Sequence, residues 1–257
     1  MKDAVALSQR KQKTKFRNKL KLQEMERDNY YNQIPSVGGS FSYGWRTMFG
    51  KSFLMLFVAV IIMGLLNGPS AGLKFDDHHS LFTGLILLPM ALFGLAYAFL
   101  FLPVIKYGRD LMFLQAMRGE DADLKTLFEG FRKNYLNIIL ANLIVVALVA
   151  IGFIMLVIPG IIVLCRLIFV PYLVMDKNLE AMKAVEKSWQ MTRGHGWEIF
   201  AMLILSFFIT IGGLMVFFVG IIFARMWRHS AFATFYQSVL NQSDDDNPIP
   251  ILGVNEQ

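Results

Sequence analysis

Residues 136–158 read LNIILANLIVVALVAIGFIMLVI, Pro159-Gly160 follows, and residues 161–175 read IIVLCRLIFVPYLVM. The one charged side chain in this stretch is Arg166, next to Cys165. A bilayer core takes about 20 apolar residues per helical crossing, so the stretch is long enough for two crossings with a tight corner at Pro159-Gly160. A helix on a soluble core carries a polar stripe at a period of about 3.6 residues, and neither half has one. The fold class predicted is all-α: a polytopic membrane protein of about six transmembrane helices in three hairpins, with interfacial helices on the cytoplasmic side.

The composition agrees with this. Of 257 residues, 55% are hydrophobic, and they include 23 Phe and 15 Met. The single cysteine excludes an internal disulfide or a cysteine-based metal site. No cleavable signal peptide is read before the first apolar stretch, because some fifty mostly polar residues precede it.

Three parts follow from the distribution of charge. Residues 1–39 form a basic cytoplasmic arm and a linker, the latter read from Pro35-Ser36-Val37-Gly38-Gly39-Ser40. Within the arm, Arg10, Lys11, Lys13, Lys15, Arg17, Lys19 and Lys21 make a run without an acid. Such a run suits an anionic membrane surface, at about 1 kcal/mol per basic residue. Residues 40–240 form the membrane domain, and 241–257 an acidic tail expected to be disordered.

Within the membrane domain, apolar spans are read at about residues 52–66, 81–105, 136–158, 161–175 and 197–212. A less regular sixth covers 214–240, where Gly220 is taken as an outer corner. Charged, helix-prone sequence separates spans two and three and spans four and five. Each hairpin is entered through a similar segment, GWRTMFGKSF (44–53), LFEGFRKNYL (127–136) or SWQMTRGHGW (188–197). Aromatic and basic residues at a span boundary are interfacial anchors, and their recurrence points to a threefold repeat. The segments on one side of the spans hold 21 Lys and Arg, whereas the other side has Lys74 alone. By the positive-inside rule both termini are cytoplasmic, and the expected location is a bacterial cytoplasmic (inner) membrane.

The residues Ile158-Pro159-Gly160-Ile161-Ile162, Arg166, Phe169, Pro171-Tyr172, Ala184, Ser188-Trp189, Gly194 and Tyr236, with Gly44-Trp45 upstream, carry a family resemblance. The chain resembles, over about residues 40–240 and most clearly over 130–200, the membrane domain of glycerophosphoryl diester phosphodiesterases and its uncharacterised six-span relatives. The resemblance implies a six-helix membrane domain with no assigned catalytic residues. The chain departs from that family after the last corner, where Arg225-Met226-Trp227-Arg228-His229 stands in place of a proline-containing segment.

The chemistry centres on arginine. Arg225, Arg228 and His229 are spaced i, i+3, i+4 and share one helix face, and Arg166 lies at a comparable distance past its own corner. No Asp or Glu is expected within the apolar stretches to pair with them, Glu198 standing at the very start of the fifth. Since a mid-membrane arginine costs about 2.5–3.5 kcal/mol on insertion scales, it must snorkel to lipid phosphates or line a cleft. The expected ligand-binding set is therefore Arg166, Arg225, Arg228 and His229, gathered around an anionic lipid headgroup or solute. Asp76-Asp77-His78-His79 reads as a solvated outer loop, with no metal, cofactor or nucleic acid expected. The leading functional expectation is a non-enzymatic accessory or scaffold protein that meets lipid or a membrane complex. The alternative is a transporter or lipid-handling protein built on the arginine cleft.

Overall fold

A computed structural model of the chain describes residues 35–66, 92–215 and 217–246, and every regular element among them is helical. The basic arm at Arg10 to Lys21 and the Asp76–His79 cluster lie outside the described residues, as does Pro89. In chain order the helices are α1 (Val37–Met48), α2 (Phe53–Leu66) and α3 (Leu92–Met117). Then come α4 (Thr126–Lys133), α5 (Tyr135–Met155), α6 (Val157–Arg166) and α7 (Val170–Asp176). α8 (Ala181–Met191), α9 (Gly196–Met215) and α10 (Phe217–Asp246) complete the series.

Among the described residues, four helical segments are long and apolar enough to cross a membrane: Leu92–Met117, Tyr135–Met155, Val157–Asp176 and Gly196–Met215. A fifth arises if α1 and α2, bent by 104° to one another, count as a single span. In α5 and α9 only 17% of the most apolar stretch is buried. Ile154, Met155, Phe207 and Phe208 stand exposed on them, a surface far larger than the apolar patches that water-soluble monomers tolerate.

The helices repeat one order three times. A short amphipathic helix (α1, α4, α8) precedes an apolar helix (α2, α5, α9), and a return segment follows (α3, α6–α7, α10). Packing follows the repeat but is displaced by one unit: α4 lies on α3, α8 on α7, and α1 on α10, the last return helix. The amphipathic helices thus join each unit to its predecessor and close the set into a ring. Gly44 shows why α1 can seat so closely, because a Cβ there would fall 2.9 Å from the backbone nitrogen of Ala231. Gly108 plays the same part for α3 and α4, where a Cβ would sit 2.5 Å from the Leu127 carbonyl oxygen. Inside the ring, the second half of α3, α7 and residues 230–240 of α10 are buried almost throughout.

Several boundaries differ from the sequence expectation, each for a local reason. The segment at 35–40 is no linker: Ser36 caps α1, its hydroxyl accepting from the Gly39 N–H at 3.1 Å, so α1 begins before residue 40. The second span does not stop at Ile105. α3 runs on through Lys106, Arg109 and Asp110, which hydropathy alone reads as the end of a span, because neighbouring helices cover that part. A π-helical turn at Tyr97–Phe101 precedes Pro103, with the Leu102 N–H reaching back to the Tyr97 carbonyl. It accommodates the proline, whose missing N–H and ring disturb the i−4 ladder.

The corner of the 136–175 stretch is Leu156, in extended conformation at φ −170° and ψ 158°. Pro159 sits in the first turn of α6, where its absent N–H costs nothing. Gly220 is no corner, because it lies inside α10. That helix is unbroken to Asp246, so residues 241–246 belong to it and not to a disordered tail.

Candidate functional site: a cationic cleft among the return helices

Lys106, Arg109 and Asp110 occupy positions i, i+3, i+4 of α3, as Arg225, Arg228 and His229 do in α10, so each helix gathers its three groups on one face. α3 and α10 pack together, and the two triads meet. The Arg109 guanidinium donates to Asp110 Oδ1 from Nε at 2.9 Å and from Nη2 at 2.8 Å. His229 Nδ1 stands 3.5 Å from the same oxygen, and its ring lies 5.3 Å from that of Phe113. The side chains of Asp110, Arg109 and His229 are only 12–14% exposed.

Two cavities border this cluster and share Arg109, Arg228 and His229. The larger, of about 610 Å³, has Lys106, Asp110, Tyr172 and Asn142 among its polar wall and Val145, Val149, Leu203 and Phe232 among its apolar wall. The smaller, of about 340 Å³, adds Arg225 and Thr210 beside Val60 and Met63. Among the described residues, Lys106, Arg109, Arg225 and Arg228 are the basic side chains of these walls and Asp110 is their only acid. Charges removed from water require a counter-charge, and one carboxylate offsets one of the four. The chemistry this arrangement favours is the holding of an anion that has an apolar part.

Of the predicted set, Arg225, Arg228 and His229 therefore line neighbouring cavities, with Arg225 reaching only the smaller. Arg166 does not join them. It ends α6 and borders a separate groove with Cys165, Gly196 and Trp197, because the return segment breaks between α6 and α7. At that break the Val170 N–H turns to Leu167 O, at 3.2 Å. The Arg166 carbonyl is left to accept from the hydroxyl of Ser188, at 2.7 Å. Ser188 is thus a long-range partner, fully buried.

The expectation that no carboxylate would reach the arginines is overturned by Asp110, excluded only because the span was ended too early. Its signal was present in the sequence: the i, i+3, i+4 ionisable spacing of 106, 109 and 110 repeats at 225, 228 and 229. A second buried polar group was missed altogether. Arg118, next after α3, donates from Nη2 to Asp176 Oδ2 at 2.9 Å and from Nε to Gln237 Oε1 at 2.8 Å. Tyr236 also donates to Asp176, at 3.2 Å. This network ties the ends of α3 and α7 to α10.

With several helices long and apolar enough to span lipid, the chain is compatible with a membrane protein. Its residues 142–243, from within α5 to near the end of α10, match a family described only as a domain of unknown function (DUF7847). No curated protein and no solved structure matches the chain.

Proposed function

We propose that this is a polytopic membrane protein of six helices in three hairpins that binds an anionic amphiphile, a lipid or lipid-like solute, in the cleft between α3 and α10. The observation that carries the reading is the ratio of four basic side chains to one carboxylate around cavities otherwise walled largely by aliphatic residues. An entering phosphate or carboxylate supplies the missing counter-charge through charge-assisted hydrogen bonds, and the apolar wall accepts a chain. The thrice-repeated helix order supports the hairpins. The 21-to-1 distribution of basic residues supports a location in a bacterial inner membrane with both termini cytoplasmic. The resemblance to the phosphodiesterase membrane domain read from the sequence motifs would imply the same architecture, though the family match found is to the domain of unknown function.

Binding and transfer, without covalent chemistry, are what such a cleft performs. The cleft takes precedence over an accessory or scaffold role, which rests on the basic arm and the interfacial helices. The test is equilibrium binding of a fluorescent long-chain alkyl phosphate to the detergent-purified protein, compared with its neutral alcohol. Arg109→Gln and Arg228→Gln should each weaken phosphate binding by roughly tenfold or more, the worth of a charge-assisted hydrogen bond. Equal binding of phosphate and alcohol by the unaltered protein sinks the reading.

A further inference from the structure

The groove that holds Arg166 lies apart from the cleft and sits where α6 ends and α9 begins. It encloses about 430 Å³ and is lined by Ile158, Ile161, Ile162, Phe200, Trp197 and Arg166, with Cys165 and Gly196 completing it. Three features of Arg166 set it apart. Its Nη1 is buried and has no hydrogen-bond partner among the described residues. Its guanidinium carbon lies 5.8 Å from the centre of the Trp189 ring, which fixes the side chain by a cation–π contact. Finally, the groove contains no acid to neutralise it: Glu198, one residue beyond Trp197, is not part of the lining.

A guanidinium donor left unpaired costs free energy, and Arg166 borders a groove that is otherwise aliphatic and aromatic. Gly196 and Trp197 open α9, a helix of 20 residues. Its first-turn N–H groups have no intrahelical acceptor and carry the positive end of the dipole. Trp197 is 77% exposed at the rim, the amphipathic side chain typical of the headgroup level. Guanidinium, helix start and interfacial indole converge on one place, with a slot of isoleucines leading away from it.

We propose that this groove is a lateral binding site for a phospholipid with an anionic headgroup. The phosphate accepts from Arg166 and the start of α9, and one acyl chain lies along Ile158, Ile161, Ile162 and Phe200. The site is independent of the interior cleft, since Arg166 borders neither of the two cavities there. The occupant is a bilayer lipid and not a soluble phosphate, because the apolar slot needs a chain to fill it.

Quenching of tryptophan fluorescence by brominated acyl chains tests this directly, since Trp197 stands at the rim. The full chain is reconstituted into phosphatidylcholine vesicles in which a minor fraction of lipid is brominated phosphatidylglycerol, or, in parallel, brominated phosphatidylcholine. The phosphatidylglycerol should occupy the site in preference by roughly tenfold, the worth of a charge-assisted hydrogen bond, and so quench at lower mole fraction. Arg166→Gln and Trp197→Phe should each abolish the headgroup difference, Arg166→Lys should retain part of it, and Arg228→Gln should leave it intact. Equal quenching by the two headgroups in the unaltered protein overturns the proposal. So does a difference that survives Arg166→Gln, or one lost in Arg228→Gln. Should Arg166→Gln fail to reconstitute, Arg166→Lys decides, and an undiminished headgroup difference there overturns the proposal.

Discussion

Arg118 grips Asp176 with two hydrogen bonds across 58 residues of chain, one of them 2.9 Å long, with the two side chains 14% and 9% exposed. Removing one member of a buried pair strands the other charge, at a cost of about 3–5 kcal/mol. Arg118→Met should therefore lower the thermal unfolding midpoint in detergent sharply, and Asp176→Asn less so, since an amide can still accept from Arg118. The double replacement Arg118→Met with Asp176→Leu should recover much of the loss. A double variant as unstable as the sum of the single ones would show that the pair is not what ties α3 to α7.

Gly44 makes the ring of helices close. Gly44→Leu should separate α1 from α10 and break the bond by which Trp227 Nε1 donates to the Phe41 carbonyl, at 2.8 Å. The measurable outcome is loss of protection of α1 in hydrogen exchange, together with increased exposure of Trp227 to aqueous quencher. Gly38, on the same helix, has open space where a Cβ would go. Gly38→Ala should be neutral or stabilise by up to about 1 kcal/mol, through the lower backbone entropy of alanine. Equal effects at both positions would exclude close packing as the cause.

Ser188→Ala removes the shorter of two hydroxyl bonds to the Arg166 carbonyl at the break between α6 and α7, leaving that from Thr192 Oγ1 at 3.5 Å. A carbonyl left wholly without a partner costs about 1–3 kcal/mol, and one that keeps only this long bond loses part of that. Ser188→Ala should lower the unfolding midpoint accordingly and speed exchange of the amides at 167–170. Ser188→Thr, which keeps the hydroxyl, should be milder. An unchanged midpoint in Ser188→Ala would mean that Thr192 alone satisfies the carbonyl.

Arg166 and Arg228 should separate in function. Arg166→Gln should keep the binding of an alkyl phosphate in the interior cleft, and Arg228→Gln should lose it, as measured by fluorescence titration. A topological test accompanies this one: a reporter inserted after Lys74 should lie on the opposite side of the membrane from one fused to the N-terminus. Reporters on the same side would refute the hairpin scheme.

Much of the architecture was legible because burial of apolar surface and the cost of moving charge across lipid are properties of short stretches. Residues 136–175 are long and apolar enough for two crossings by length alone, and the structure holds two such helical segments there, Tyr135–Met155 and Val157–Asp176. The entry segments at 44–53, 127–136 and 188–197 likewise showed a recurring unit. In the helices the small residue of each segment, Gly44, Gly130 or Ser188, is buried and an aromatic residue follows it. Hydropathy failed at 106–117, where a charged sequence stays within the apolar helix because other helices shield it.

What the sequence by itself determined, then, is the helical class, the apolar segments and the asymmetry of charge, each fixed by side-chain chemistry within a few turns. Only the tertiary structure decided that Asp110 would meet His229 and that Arg118 would meet Asp176. It likewise decided that Arg166 would stand apart from Arg225 and Arg228. Those pairings depend on which return helix each amphipathic helix packs against and on where a helix breaks. Both are set by the summed packing of residues far apart in the chain, which no local pattern encodes.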